Sequence, residues 1–136
     1  MTSQNAEQIA YWNGDAGQRW TQRQQVQDAL LEPISRLVIE RADARPGEHV
    51  VDIGCGCGDT TLALAQRVGG GHVTGIDVSA PMLARARERA PAGAPVTFVE
   101  ADATTHAFAP ASTDLVFSRF GVMFFAHPEL AFANLH

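Results

Sequence analysis

Apolar and polar positions fall into two regimes along the chain. Residues 5 to 31 are polar and glutamine-rich, with Tyr11, Trp12 and Trp20 as the large apolar groups. Val26, Ala29 and Leu30 recur at helical spacing and predict a helix over 18–31. Pro33 suits the first turn of a second helix, where its missing N–H is not needed; Ile34, Leu37, Val38 and Arg41 lie on one stripe of it. The turn signal RPGE at 45–48 closes this part.

Beyond that turn, short β-rich runs alternate with helical ones. HVVDI (49–53) reads as a buried strand, and TTLALAQRV (60–68) carries Leu62, Ala65 and Val68 at helical spacing. Three glycines at 69–71 end that helix, and HVTGID (72–77) is the next strand. Ser79 suits an N-cap and Pro81 the first turn of a helix through MLARARERA (82–90). PAGAP (91–95) breaks it; VTFVEA (96–101) and DLVFS (114–118) are the third and fourth strands. Parallel strands need crossover connections, usually helices, so the expected fold is α/β: a doubly wound parallel sheet, preceded by N-terminal helices. Its division is an N-terminal helical segment, 1–45, and a core, 46–136.

A length of 136 residues suits one domain. With 46% hydrophobic and 18% charged residues the chain belongs to soluble globular proteins, not disordered or fibrous ones. No apolar run approaches the roughly 20 residues of a membrane span. The N-terminus has neither a basic n-region nor an apolar h-region, so a cytoplasmic location is expected. The formal charge is −5, and Arg85, Arg87 and Arg89, interleaved with Ala84, Ala86 and Glu88, read as a solvated helix face. Neither a nucleic acid nor a membrane is expected as partner.

Cys55 and Cys57 raise the question of a metal or redox site. A disulfide between i and i+2 is badly strained, and zinc and thioredoxin-like sites use CxxC spacing. The histidines at 49, 72, 106, 127 and 136 form no HxxxH pair. No metal is expected, and the two thiols need only be small and uncharged.

The surrounding loop has another use. In a doubly wound sheet the ligand crevice lies beyond the carboxyl ends of the strands, where strand order reverses. Gly54, Gly56 and Gly58 follow the first strand and open a helix, letting the backbone turn tightly and approach a ligand. Asp77 ends the second strand 23 residues after Gly54, where a carboxylate can accept both ribose hydroxyls of an adenosine. Capping the following helix is its alternative use. Asp102, just past the third strand, sits where an adenine amino group can be accepted; a turn aspartate is the alternative. Dinucleotide folds read GxGxxG, whereas this loop reads GxGxG, with Asp59 in place of the third glycine and Asp52 two residues before Gly54. Those carboxylates disfavour a pyrophosphate and suit a phosphate-free ligand bearing an ammonium and a sulfonium, such as S-adenosylmethionine (SAM).

The stretches VVDIGCGCGDTT, VTGIDVSAPMLARARERA, VTFVEADATTHAF and ASTDLVFSRFGVMFF together resemble successive motifs of class I SAM-dependent methyltransferases that modify small molecules. The resemblance covers residues 46–136 and implies a Rossmann-like fold with SAM as cofactor and a small-molecule methyl acceptor. It implies that Gly54, Cys55 and Gly56 cradle the methionine portion, Asp77 holds the ribose, and Val78 and Met82 line the adenine pocket. Asp102 and Ala103 would meet the adenine edge, Ser118 would sit beside the amino-acid moiety, and Asp52 would reach the ammonium directly or through water. YWNGDAGQRW resembles a lid that places Tyr11 and Trp20 over the cofactor; hydrophobic anchoring of the N-terminal helices serves these two residues equally well. Phe120, Met123, Phe124 and Phe125 divide between core and acceptor wall, with Phe120 nearest the cofactor. His127 reads as a helix-entry residue, and no general base stands out.

Family members have about seven strands, in the order 3-2-1-4-5-7-6, and the pattern here covers about four. The expectation is a truncated form of a longer fold, whose apolar fourth-strand edge invites self-association. A SAM-binding module without transfer activity, and an NAD-type oxidoreductase domain, are the rival functions.

Overall fold

A computed structural model describes residues 5–136; the first four residues of the 1–45 segment lie outside the described residues. In chain order the elements are α1 (Ala6–Asn13), α2 (Asp15–Gln22), α3 (Gln24–Ala42), β1 (His49–Ile53), α4 (Asp59–Ala65), β2 (His72–Asp77), α5 (Ala80–Arg89), β3 (Val96–Glu100), β4 (Leu115–Phe117) and α6 (Pro128–Leu135). All strand pairings are parallel, in the order β3-β2-β1-β4. The chain winds outward from β1 to β3 and then crosses back to place β4 on the other side of β1. That reversal is the switch point of a doubly wound α/β sheet.

Strand alternation sorts the core. Val50, Val73 and Phe117 point to one face, where they pack with Leu64 and Val68 around α4 and with Ile39 of α3. Leu83 and Ala86 of α5 continue this face over Phe98. Val51, Ile53 and Ile76 point to the other, under Phe108, Val122, Phe125 and Leu135. Full burial of one such aliphatic side chain stabilises the fold by about 1.5–3 kcal/mol. β4 pairs with β1 alone, and Val116 on the second face is 43% exposed.

The N-terminal segment departs from expectation in two ways. The helix expected over 18–31, with a second beginning at Pro33, is instead broken at Arg23, and α3 runs unbroken through Pro33. A proline inside a helix leaves the carbonyl four residues earlier without its donor. Here Ala29 and Pro33 are both on the exposed side, where water reaches that carbonyl. The expected stripe is also rotated. Ser35, Val38, Ile39 and Ala42 face the core, whereas Val26, Leu30, Ile34 and Leu37 are exposed. A shift of one residue turns a helix by about 100°, and Val38 is the position common to both stripes.

α1 lies within the segment expected to be helical, and it is latched to the core. Asn13 Oδ1 accepts from Ala80 N at 2.9 Å, and Asn13 Nδ2 donates to Val78 O at 2.6 Å. Ser79 occupies the N-cap position of α5 as expected, but its hydroxyl donates to the carbonyl of Trp12 at 2.6 Å. Asn13 thus caps α5 from outside, and Ser79 holds α1.

Candidate active site

The carboxyl ends of the strands open on a cavity of about 410 Å³, within the range of small-ligand sites. Of the residues expected there, Gly54, Cys55 and Gly56 line it from the tip of β1, and Asp77, Val78 and Met82 from the β2–α5 junction. Asp102 and Ala103 follow β3, Phe120 follows β4, and Trp20 reaches in from α2. Asp52, Ser118 and Tyr11 are not part of its lining.

The glycine loop is folded down on the tip of β2. Gly54 N and Cys55 N both donate to Ile76 O, at 2.8 and 3.1 Å. Gly54 and Gly56 have φ of 70° and 56°, in the left-handed region that disfavours other residues. A Cβ on Gly56 would lie 2.8 Å from Met82 Cε, so a side chain there would crowd the cavity wall.

Asp77 organises this loop. Its Oδ2 accepts from Gly56 N at 2.8 Å and its Oδ1 from Ser79 N at 2.9 Å. Burial pushes its pKa upward, against the pull of the backbone N–H groups of Ser79, Gly56 and Val78. A carboxylate offers about four lone-pair positions. Asp77 therefore shapes the start of α5, one of its two foreseen uses, and it also lines the cavity. Asp102 Oδ1 likewise accepts from Thr104 N at 3.0 Å, as a turn aspartate does, while facing the same cavity.

Asp52 lies elsewhere. Strand alternation turns it to the face under α4, where it is fully buried and its Oδ2 accepts from Thr60 and Thr61 at 2.7 and 2.8 Å. Its Oδ1 is buried without a partner among the described residues. Burial raises its pKa to about 6, partly offset by the two threonines and the nearby charge of Arg119. A folded-state pKa above the unfolded value means that the native protein binds the proton more tightly. Stability is therefore gained as pH falls below about 6 and lost as pH rises through it. The raised value corresponds to about 3 kcal/mol lost at neutral pH. Asp52→Asn, which keeps an acceptor for both threonines, is expected to be more stable than wild type at pH 8 in urea titrations and to flatten the loss between about pH 4 and 7. Equal slopes for the two proteins would refute this account.

Ser118 Oγ donates to Ile53 O at 2.9 Å, which ties the ends of β4 and β1 together. Phe120, directly beyond, has φ of 65°, a conformation that costs a bulky residue about 1–3 kcal/mol. It brings Gly121 against the loop: a Cβ on Gly121 would lie 2.2 Å from Ile53 O, and one on Gly54 2.5 Å from Gly121 Cα.

In the N-terminal part, Tyr11 is 53% exposed and stands edge-on to Trp12. Trp12 is the wall residue, edge-on to Trp20 at 6.1 Å and to Phe124 at 5.4 Å. Asn5, at the N-cap of α1, and Gln8 and Trp12 within that helix all line the cavity. Their i, i+3, i+7 spacing was a legible signal that the polar composition of the segment obscured. Asp28 and Arg119 were missed as lining residues, whereas Asp59 stands beside the loop where the sequence placed it.

Both cysteines are free and buried, and burial pushes the Cys55 thiol well above its ordinary pKa and raises that of Cys57. Such thiols are poor nucleophiles and poor metal ligands at neutral pH. Among the described residues no group of three His, Cys, Asp or Glu side chains is placed to hold a metal ion.

A backbone cradle at the switch point, an acid at the tip of β2 and a wall carrying Asp28, Asp59, Asp77 and Asp102, with Arg119 as the one basic side chain among the described residues that line it, define a class. It is a Rossmann-like domain of the kind that binds an adenosyl cofactor without phosphates. The sequence model of the family described as "Methyltransferase domain" matches residues 50–136. The chain belongs to that family, the class I SAM-dependent methyltransferases. It is 43% identical over 93 residues to a trans-aconitate 2-methyltransferase of Paracidovorax citrulli, covering 68% of this chain and 34% of that one. Over 102 residues it is 40% identical to a demethylmenaquinone methyltransferase of Thermus thermophilus, covering 74% and 46%. The magnesium protoporphyrin IX methyltransferase of Synechocystis, solved with bound SAM, superposes with a TM-score of 0.72 at 20% identity, covering 99% of this chain and 71% of that one. The chain thus spans about a third to a half of the length of these curated relatives.

Proposed function

We propose that the cavity binds SAM and that the protein transfers its methyl group to a small-molecule acceptor. The observation that carries this reading is the bond from Gly56 N to Asp77 Oδ2, which joins cradle and ribose acid in a wall otherwise rich in carboxylates. Gly56, whose added Cβ would crowd Met82 Cε at the cavity wall, fits a ligand lying against the backbone. Four aspartates against one arginine suit a ligand with an ammonium and a sulfonium and repel a pyrophosphate.

In this reading Asp77 accepts the ribose hydroxyls, Val78 and Met82 flank the adenine, and Asp102 and Ala103 read its edge. When bound, SAM supplies an electrophilic methyl carbon, so the residues of the chain contribute alignment and exclusion of water. Orientation of this kind lowers a barrier by about 7–11 kcal/mol at best. Trp12, Trp20, Phe120 and Phe124 form the apolar side of the cavity and would shield the reacting atoms. The named activities of the two curated relatives, on trans-aconitate and on demethylmenaquinone, support a small-molecule acceptor.

Calorimetric titration with SAM, S-adenosylhomocysteine and NAD tests the site: the first two are expected to bind and NAD is not. A radiolabelled methyl-transfer screen then separates an enzyme from a binding module. Binding of NAD in preference to both adenosyl sulfur compounds would overturn the assignment.

A further inference from the structure

Arg119 is the only basic side chain among the described residues that line the cavity, and its side chain is 12% exposed. Its Nη1 donates to Ser35 Oγ at 2.7 Å and to Asp59 Oδ2 at 3.0 Å. Its Nε and Nη2 have no partner among the described residues, and neither is fully buried. Asp59 does not neutralise it alone, because Arg89 Nη2 lies 3.9 Å from the same carboxylate and 2.9 Å from Asp28. A guanidinium this deep with unused donors is costly unless something accepts from them. Its planar fork matches a carboxylate through two parallel hydrogen bonds.

The place of Arg119 in the fold indicates which part of a ligand it meets. With the strand order β3-β2-β1-β4, the cavity runs from Asp102 past Asp77 and the glycine loop to Arg119. An elongated ligand with its nucleoside over β2 and β3 therefore ends at Arg119.

We propose that Arg119 is a carboxylate anchor at the β4 end of the cavity, its free Nε–Nη2 edge gripping an acid group of the bound ligand. This rests on the reading of the cavity as an S-adenosyl site. The amino-acid end of the cofactor carries such a group, and an acidic methyl acceptor is the other source of the same chemistry. A strut between α3 and α4 would need only the Nη1 bonds, and would be indifferent to whether the ligand is an acid.

The test is calorimetry on the 136-residue chain with S-adenosylhomocysteine and its decarboxylated analogue, for wild type, Arg119→Lys and Arg119→Met, each checked for folding by thermal melting. Wild type is expected to prefer the carboxylate form by roughly tenfold or more, one charged hydrogen-bond pair. Arg119→Met should bind both forms alike, and Arg119→Lys should recover part of the preference. A second arm titrates citrate and its trimethyl ester into protein saturated with S-adenosylhomocysteine. If wild type ignores the cofactor carboxylate but binds citrate in an Arg119-dependent way, the anchored acid is that of the acceptor. Wild type that discriminates in neither arm overturns the proposal even if Arg119→Met fails to fold. Failure of the wild type to bind either adenosyl compound is a separate result, which removes the cofactor reading beneath it.

Discussion

Asp77→Ala is expected to weaken SAM binding by roughly 100-fold, the loss of two hydrogen bonds to a charged acceptor at about 1.5 kcal/mol each. The carboxylate is also what holds Gly56 N and Ser79 N, at 2.8 and 2.9 Å. Its removal therefore loosens the cradle as well as the ribose contact. Asp77→Asn should recover little, because one of its two terminal atoms becomes a donor facing a backbone N–H. Calorimetry reads the affinity, and thermal melting shows whether the loop change spreads to the fold. An unaltered dissociation constant in Asp77→Ala would remove this residue from the cofactor site.

The largest loss of stability is expected from Gly121→Ala, about 3 kcal/mol by urea denaturation, with cofactor binding lost in parallel. The added methyl would lie 2.2 Å from Ile53 O and 2.7 Å from Gly54 Cα. Both neighbours are backbone, so no side chain can swing aside. The tips of β1 and β4 would have to part, and the loop between them and Asp77 would move with β1. Gly69→Ala is the control: nothing lies within 4 Å of its added carbon and its φ is not positive. Its effect should stay within about 0.5 kcal/mol. Similar destabilisation by both substitutions would show that the close approach of Gly121 is not the cause.

The strands of the core were readable almost to the residue. HVVDI and HVTGID coincide with β1 and β2, because buried parallel strands are short apolar runs and glycine or proline marks their ends. The parts of the candidate site that follow directly from those strand ends were readable too: Gly54, Gly56, Asp77 and Asp102 each sit at a strand tip and reach the cavity through backbone position alone. Reading Asp52 into the cavity failed for the same geometry, since a residue inside a strand obeys alternation and this one points under α4.

The N-terminal segment was harder because α1 and α3 are only weakly amphipathic. Apolar residues at 26, 30, 34 and 37 make a better stripe than 35, 38, 39 and 42, yet the second set meets the core. Ser35 is on that side because it accepts from Arg119, 84 positions away, a partner that no local pattern announces. In the same way Trp12, and not Tyr11, enters the wall because α1 is held by Asn13 and Ser79 across 65 to 67 residues of chain.

Local order in this protein therefore follows from hydrophobic period and from glycine and proline, which act over a few residues and are written where they act. The strand tips, the cradle and the acid of β2 follow from that alone. The approach of Gly121 to Ile53, the seating of Trp12 and the charge cluster of Asp28, Asp59, Arg89 and Arg119 depend on segments that meet only after folding. Steric exclusion and Coulomb attraction act through space, so which residues they join was settled by the packing of α2 and α3 on α5 and α4 and by the meeting of the β1 and β4 tips.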